Sequence, residues 1–551
     1  MRGKRRILLV GLNARYHHTN LALRYLKRYC RGCPVEILLA EYTVNSDAEQ
    51  ILGDILKYRP SVAAFSVYIW NAEQVRLILK GIRMRSPETV LVLGGPEVSY
   101  NAEKWLSDIP SPDFLITGAG EAGFRALLER DFLGEGPIIN LKNPPFREIP
   151  FPYSEEDLSG LDHRYLYYES SRGCPFRCSY CVSSRSDQFL EFRDTETVLR
   201  ELDFLLGFRP GLIKFVDRTF NVRGGRSREI WEYLMETYAR SGTVFHFEIH
   251  PAFLDDRDFQ LLARCPGGLF QFELGIQSTH EQTLQAVGRK QDWEEVRDRM
   301  ERLQGMKNIH LHADLIAGLP FEGLQELEKS FNRVYALGCD HLQLGILKLL
   351  PGTNIREETE RFGILYRESS PYGVRATAWL DEESLILVER AARLVEVLHN
   401  AHKMDVTLKE LIHLSGSPFM LFYSFARWER ALTLPALHQG WEEAALRIGE
   451  YVKRFHPDSS RFMGDALRWD WCCLRSLHYP KFLKPAAYQA KKRGVLRDLL
   501  LAAGHNGPDS PPGNLKSSLL FIPDTEAFRS KYLGVWNMAL FPVPSGDVMY
   551  L

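Results

Sequence analysis

No apolar run in this chain is long enough to cross a bilayer. The first one, Ile7 to Val10, has four residues, against the roughly 20 a spanning helix needs. It follows the basic Arg2-Gly3-Lys4-Arg5-Arg6 but is also too short for the apolar core of a signal peptide, so a buried strand is the expected role. Basic excess is missing as well: 69 Lys and Arg stand against 70 Asp and Glu, a formal net charge of -1. That balance argues against nonspecific nucleic-acid binding, and neither a basic domain nor a helix-turn-helix is visible. Cysteine is sparse, nine residues with no secretory signal opening the sequence, which fits a reducing cytoplasm better than a disulfide scaffold. Cys30 and Cys33, like the adjacent Cys472 and Cys473, read as buried or bystander thiols. Internal repeats and long low-complexity segments are absent too.

What remains is a globular composition, 45% hydrophobic and 25% charged over 551 residues, enough for three or four domains at roughly 150 residues each. One stretch stands out, Ser170-Ser171-Arg172-Gly173-Cys174-Pro175-Phe176-Arg177-Cys178-Ser179-Tyr180-Cys181. It spells C-x-x-x-C-x-x-C. Three thiolates on one short loop can hold three corners of a four-iron cluster and leave the fourth iron open for chemistry. A structural zinc knuckle needs a fourth Cys or His; His163 precedes the loop and the next histidine is His246, so zinc would require a remote ligand. A disulfide would leave one of the three cysteines over.

From Arg6 to about Phe132, β-rich apolar runs alternate with helical periodicity. The expected strands are Ile7–Val10, Val35–Ala40, Val62–Ser66, Val90–Leu93 and Phe114–Thr117, which implies a doubly wound five-stranded parallel sheet in an α/β fold. Such sheets bind ligands beyond the carboxyl ends of their strands. The polar and Gly-rich segments fall there: Asn13-Ala14-Arg15-Tyr16, Ser66-Val67-Tyr68, Gly94-Gly95-Pro96-Glu97 and Gly118-Ala119-Gly120-Glu121. Gly118 to Gly123 matches G-x-G-x-x-G, but the dinucleotide fingerprint belongs in the first βα turn with an acidic residue about twenty further on. After a fifth strand it reads as a tight turn, with Glu121 near a helix N-terminus.

A Pro-rich stretch from Gly136 to Pro152 reads as an extended linker. Six strand–helix units follow, with strands near Tyr165–Ser170, Leu212–Asp217, Val244–Ile249, Leu269–Ile276, Ile309–Ile316 and His341–Leu347. Eight units and about 250 residues would make a full barrel. Polar residues gather at the strand ends: Asp217-Arg218-Thr219, Glu248-Ile249-His250, Glu273 through Ser278, and Asp314. Any one of them could simply cap a strand or helix, but four on one rim point to a site.

In these motifs the sequence resembles the radical S-adenosylmethionine (SAM) enzymes, whose cluster loop is C-x-x-x-C-x-aromatic-C with Tyr180 at the aromatic position. The resemblance implies a partial (β/α)6 barrel, a [4Fe-4S] cluster on Cys174, Cys178 and Cys181, and SAM chelated to the open iron and cleaved to a 5′-deoxyadenosyl radical. Glu273 to Ser278 is similar to the family's E-x-G-x-Q-S region, and Asp314 to Pro320 to its D-x-I-x-G-x-P strand. Tyr180, Asp217, Glu248, Glu273, Gln277, Ser278 and Asp314 are therefore the expected SAM-binding residues. Many relatives carry Gly-Gly-Glu where this chain has Asp217-Arg218, and Asp217 is the expected substitute. The N-terminal sheet resembles the cobalamin-binding domain of one large radical SAM class. Asn13, Arg15, Tyr16, Ser66, Gly94, Gly95, Glu97, Gly118, Gly120 and Glu121 then surround the corrin. The chain has no D-x-H-x-x-G, so no histidine is expected as lower ligand; His17 and His18 are the nearby candidates, ranked below water or no ligand.

The expected organisation is a cobalamin-binding-like domain over 1–135, a linker over 136–164, the radical SAM partial barrel over 165–350 and a mostly helical C-terminal domain over 351–551. In the last, Glu382–Asn400 is an amphipathic helix. The tract Lys481, Lys484, Lys491, Lys492 and Arg493 reads as a solvated helix face. The function the resemblance implies is cobalamin-dependent C-methylation of an unactivated carbon, fed by an external flavodoxin- or ferredoxin-type donor and acting on a small molecule or peptide. Three alternatives stand beside it: cobalamin-dependent rearrangement or cyclisation without methyl transfer; methylthiotransfer to RNA or protein, whose enzymes hold a second cluster on three N-terminal cysteines where this domain has only Cys30 and Cys33; and a non-enzymatic cofactor sensor.

Overall fold

The computed structural model describes residues 5–108, 111–133, 136–184, 190–437, 440–474, 478–485, 488, 491–495, 498, 519–536, 538–541 and 548–550. Two compact units divide the chain: Met1–Leu324 with Leu337–Cys339 and Ile346–Glu382, and Gln325–Ala336 with Asp340–Gly345 and Glu383–Leu551.

The first unit opens with β1 (Arg5–Asn13), α1 (Leu21–Tyr29), β2 (Val35–Thr43), α2 (Ala48–Lys57), β3 (Val62–Ser66), α3 (Ala72–Arg85), β4 (Val90–Gly94), α4 (Pro96–Ser99), α5 (Ala102–Ser107), β5 (Phe114–Ile116), α6 (Gly120–Glu129) and β6 (Ile138–Ile139). The sheet order is β2-β1-β3-β4-β5-β6, parallel throughout. All five expected strands are there. The sixth is a two-residue edge strand inside the stretch read as linker. Pro137 precedes it and gives only its carbonyl, to the Leu115 N–H, the edge position where a residue without N–H is tolerated.

Alternation of side chains along β1 explains why this segment is apolar without a break. Leu8, Val10 and Leu12 pack with α2 and α3 on one face, while Ile7 and Leu9 pack with Leu23, Phe124 and Leu127 on the other. A parallel sheet covered on both faces needs this continuous run.

A second sheet, in the same order as the chain, comprises β7 (Leu166–Tyr168), β8 (Leu212–Phe215), β9 (Val244–Ile249), β10 (Phe270–Gln277), β11 (His310–Ala317) and β12 (His341–Ile346). Neighbours from β7 to β11 pair in parallel. Helices α7 (Thr195–Leu206), α8 (Gly224–Tyr238), α9 (Asp256–Leu262), α10 (Trp293–Met306) and α11 (Leu324–Ala336) supply the crossovers. The sheet ends at six strands, the partial barrel expected. Here alternation separates two kinds of residue: Phe270, Phe272, Leu274 and Ile276 of β10 are fully buried, while Gln271, Glu273, Gly275 and Gln277 between them are half-buried. One face of the curved sheet is thus aromatic core; the other carries polar groups.

In the second unit, Glu382–Leu394 continues through a π-helical turn, Val395–His399, and is followed by helices Asp405–Ser415, Pro418–Ala431, Trp441–Phe455 and Ser460–Cys473. The aromatics of this unit do core work: Phe331 packs edge-on against Phe419 and Phe422. A small antiparallel sheet, Leu519–Phe521, Ala539–Phe541 and Met549–Tyr550, joins the helices, an element absent from the sequence reading. Of the basic tract, Lys481, Lys484, Lys491 and Arg493 are exposed, but Lys492 is half-buried and Lys481 and Lys484 lie outside any helix, so the tract is not one solvated helix face. Among the described residues no helix is long and apolar enough to cross a membrane.

Candidate functional site

The cysteine loop is anchored before it begins. Asp217, fully buried after β8, accepts from the Ser170 N–H at 3.0 Å, from the Ser170 hydroxyl at 2.6 Å and from the Ser171 hydroxyl. Burial pushes its carboxyl pKa up against these hydrogen bonds. Further along, the Ser179 N–H donates to the Val287 carbonyl at 2.8 Å. Gly288, at φ +67, allows that approach: a Cβ there would stand 3.0 Å from the Arg177 carbonyl oxygen. The loop is held at its entry and its middle.

Cys174, Cys178 and Cys181 are unbridged and line one cavity of about 250 Å³ with Phe176, Tyr180, Arg218, Thr219, Glu248, His250, Glu273, Gly275, Gln277, Arg289 and Asp314. The Thr219 hydroxyl lies 3.8 Å from the Cys174 sulfur, and an Arg289 guanidinium N–H donates to the Cys178 sulfur at 3.8 Å. Burial pushes the Cys174 thiol up, so it stays protonated until a metal takes the sulfur. Donors and cations around sulfur are the surroundings that favour bound thiolate.

Glu273 is the most constrained carboxylate on the wall. Burial would raise its pKa, but the N–H of His246, 3.0 Å away, and the Lys214 ammonium at 3.8 Å outweigh that and hold it well below the usual range. Burial keeps His246 neutral. His312 offers a ligand atom within 4.8 Å of those of His246 and Glu273, a two-histidine, one-carboxylate pattern, but Lys214 already supplies the countercharge. One strand on, His312 lies 3.2 Å from Asp314, whose carboxylate outweighs burial and raises the imidazole pKa. Glu248 behaves oppositely: burial outweighs Arg218, 3.7 Å away, and its pKa is raised to about 7.

His250 supplies the clearest sign of a missing partner. Its Nδ1 accepts from the Ala252 N–H at 3.3 Å, so Nε2 carries the proton. Phe176 stacks on the ring at 4.7 Å, and burial lowers the pKa to about 3. Among the described residues the buried Nε2–H has no acceptor, a costly state unless a ligand in the cavity accepts from it. Three thiols, a fixed carboxylate and an orphaned N–H on one small cavity suit an iron–sulfur cluster carrying a polar ligand.

Of the expected SAM residues, Tyr180, Glu248, Glu273, Gln277 and Asp314 come together on this wall. Asp217 and Ser278 stand behind it: Asp217 braces the loop as described, and the fully buried Ser278 donates to Glu322 at 2.5 Å. Neither faces the cavity, because both side chains are spent inside the protein. Arg218, Thr219, His250 and Arg289 line the site without having been singled out as contacts. The first three immediately follow strand ends, which was their signal; Arg289 follows the Gly288 turn, for which no motif exists.

On the N-terminal rim, Gly95 (φ +107) packs so closely that a Cβ would come 2.6 Å from the Val67 carbonyl, whereas Gly118 (φ +74) has open space. Gly94 and Gly120 flank those turns. Arg15 and Tyr16 are exposed. Asn13 and Ser66 are turned inward, Asn13 donating to the His18 carbonyl at 3.0 Å and Ser66 accepting from Asn20 at 2.6 Å. Glu97 and Glu121 are also buried. Glu97 accepts from Tyr372, and Glu121 pairs at 3.0 Å with Arg172, two residues before Cys174. The rim therefore offers open backbone at Gly118, where a flat macrocycle could approach, while at Gly95 the space of a side chain is taken by Val67 and a Cβ at Gly94 would touch Ile116. His18 hydrogen-bonds the Tyr167 hydroxyl and His17 the His163 carbonyl at 3.2 Å.

Comparison with known proteins agrees with this geometry. Residues 168–334 match the family model described as Radical SAM superfamily, residues 7–128 the B12 binding domain, and residues 360–499 a protein of unknown function, DUF4080. The cobalamin-dependent radical SAM methyltransferase TokK of Streptomyces tokunonensis is 25% identical over 65% of this chain and 58% of its own length. The 2-(S-pantetheinyl)-carbapenam-3-carboxylate methyltransferase of Streptantibioticus cattleyicolor is 25% identical over 55% and 50%. The chain thus spans only about half the length of these curated relatives. Among solved structures, the cobalamin-dependent SAM radical enzyme OxsB with aqua-cobalamin bound shares the fold, with a TM-score of 0.58 at 16% identity over 91% of this chain and 76% of that one. The chain thus carries a radical SAM domain over residues 168–334, with a B12 binding domain ahead of it and a DUF4080 region behind it.

Proposed function

We propose that the protein is a cobalamin-dependent radical SAM methyltransferase that transfers a methyl group to an unactivated carbon. The observation that carries this reading is the Arg172–Glu121 pair. It sets the thiol loop against the Gly118 turn, so a cluster on the cysteines and a corrin on the glycine rim would be neighbours. Similarity to two methyltransferases supports methyl transfer over the other radical outcomes.

When bound, the cluster supplies the electron that cleaves SAM and cobalamin carries the methyl group. This chain's residues do the rest. Cys174, Cys178 and Cys181 would hold the cluster, Arg289 donates toward the Cys178 sulfur, and the His250 Nε2–H would be available to a ligand in the cavity. Glu273 stays ionised as a fixed acceptor for SAM, with Gln277 and Asp314 beside it. The open backbone at Gly118 would give the corrin a close contact.

The experiment is anaerobic reconstitution of the full chain with iron, sulfide and hydroxocobalamin, followed by iron, sulfide and corrin analysis and assay of 5′-deoxyadenosine from SAM with a one-electron reductant. One cluster, one corrin and SAM cleavage abolished by replacing the three cysteines with Ala are expected. A protein that retains its cluster but no corrin would reduce the reading to a plain radical SAM enzyme. Nitrogen superhyperfine splitting in the Co(II) electron paramagnetic resonance (EPR) spectrum would overturn the histidine-free lower face.

A further inference from the structure

Residues 349–376 touch both halves of the proposed site. At one end the Ile355 N–H donates to the Ser179 carbonyl at 3.0 Å; Ser179 lies between Cys178 and Cys181, and Ile355 is fully buried. At the other end the Tyr372 hydroxyl donates to Glu97, directly after the Gly94-Gly95-Pro96 turn, and Asn101 donates to Tyr372 at 3.4 Å. The Ser370 hydroxyl donates to the Ile69 carbonyl, and Lys104 to the Glu368 carbonyl at 3.5 Å. Gly352, at φ +81, lies so near the Tyr100 ring that a Cβ would come within 2.5 Å.

Between its two ends the segment is braced. The Leu349 N–H donates to the Tyr372 carbonyl and the Val374 N–H to the Leu347 carbonyl, both at 2.9 Å. The Arg356 guanidinium lies over the Tyr366 and Tyr372 rings at 5.4 and 5.1 Å. A braced segment with one end on the thiol loop and the other on the glycine rim cannot let one move without straining the other.

We propose that residues 349–376 are a strut that fixes the separation between the cysteine loop and the cobalamin-facing rim, with Tyr372 and Glu97 as its positioning residues. The inference rests on the reading above for what the two sites hold, and it gives the start of the DUF4080 region, which begins at residue 360, a task. No residue of the strut needs to touch a reacting atom. Its effect is on the distance over which two cofactors must act together.

Two measurements on the full chain test it. In Tyr372→Phe the rim end loses its donor to Glu97. Hydrogen exchange should then quicken roughly fivefold both at residues 96–107 and at the distant residues 174–181, the size expected when one hydrogen bond that guards a local opening is lost. Gly352→Ala, whose Cβ would clash with the Tyr100 ring and force it away, should show the same two segments. Faster exchange confined to residues 96–107 in both variants would overturn the strut and leave a local packing role; this readout stands whether or not corrin is bound. In the reconstituted holoprotein, pulsed EPR between Co(II) and the reduced cluster should give one narrow distance in the wild type and a broader or shifted one in Tyr372→Phe at equal cluster and corrin content. An unchanged distance distribution would equally overturn the proposal, whereas a wild type without corrin would fail the functional reading alone. Should Tyr372→Phe not fold, Ser370→Ala removes a different rim contact and is read the same way.

Discussion

The neutral His246 donates from Nε2 to Glu273 across 3.0 Å, and Lys214 approaches the same carboxylate oxygen at 3.8 Å. A carboxylate so placed remains ionised at any working pH and points one fixed charge at the cavity. Glu273→Gln keeps the shape and removes the charge. The dissociation constant for SAM in the reconstituted protein should rise about tenfold, within the range for a hydrogen bond to a charged group, as read by calorimetry. Unchanged binding in both Glu273→Gln and Asp314→Asn would put SAM elsewhere.

Glu248 makes the opposite prediction. Burial raises its pKa to about 7, above the roughly 4.3 of an unfolded glutamate. Ionising it therefore costs folding energy: the penalty is absent below about pH 4, grows as pH rises and is complete above about 7. The ceiling is about 3.7 kcal/mol, at 1.36 kcal/mol per pH unit. With 31% of the side chain exposed and Arg218 largely solvated, about 1–2 kcal/mol is the sounder expectation. Glu248→Gln should raise the unfolding temperature at pH 8 and leave it nearly unchanged at pH 4. Equal effects at both pH values would show that the carboxyl does not titrate in this range.

Arg289 bridges the thiol loop and β10, donating to the Cys178 sulfur and to the Gly275 carbonyl. A donor and a positive charge near sulfur stabilise the more negative, reduced cluster. Arg289→Gln should lower the cluster's reduction potential by about 50 mV, the equivalent of roughly 1 kcal/mol for one electron. EPR-monitored redox titration gives the number. A potential that stays or rises would assign Arg289 to backbone bracing only.

Asp217 tests brace against contact. Its carboxylate takes three hydrogen bonds from Ser170 and Ser171, so Asp217→Ala strands three buried donors. A loss of about 3 kcal/mol or more in denaturant unfolding is expected. SAM affinity in the milder Asp217→Asn should change less than in Glu273→Gln. The reverse order, stable but SAM-deficient, would return Asp217 to the cavity.

How far these roles could be read from the sequence depends on the residue. The N-terminal strands were legible because burial on both faces leaves them uniformly apolar, and the thiol loop because its spacing is chemical. The barrel strands also announced their polar face, since His246, Glu248, Gln271, Glu273, His312 and Asp314 occupy alternate positions. Period two identifies the face but not the depth, however. Asp217 and Ser278 look like rim residues in sequence and are buried behind it, because the partners that claim them, Ser170, Ser171 and Glu322, lie 44 to 47 residues away in the chain. The same limit hid residues 349–376. Tyr372 and Glu97 are 275 residues apart, and Tyr372 sits in no motif.

The second unit carries its own test. Asp465 is fully buried in the helix Ser460–Cys473. It accepts from the Asp524 N–H at 2.7 Å, from the Thr525 N–H at 2.9 Å and from the Thr525 hydroxyl at 2.6 Å, and it pairs with Arg468. One carboxylate thus ties the turn at Asp524 and Thr525, which leads out of the small sheet, back onto a helix some sixty residues earlier. Removing it leaves two backbone donors, a hydroxyl and the largely buried Arg468 without their acceptor, and breaking a buried pair from one side costs about 3–5 kcal/mol. Arg468 keeps its second contact, to Asp524 at 2.8 Å, which should hold the loss near the lower figure. Because every partner of Asp465 belongs to the second unit, Asp465→Ala should lower a calorimetric transition of that unit while cluster content and SAM affinity in the first persist. Asp465→Asn, which keeps one acceptor oxygen, should lose about half as much. If Asp465→Ala instead stripped the cluster at unchanged second-unit stability, the two units would have to fold as one, and the division drawn here would be wrong.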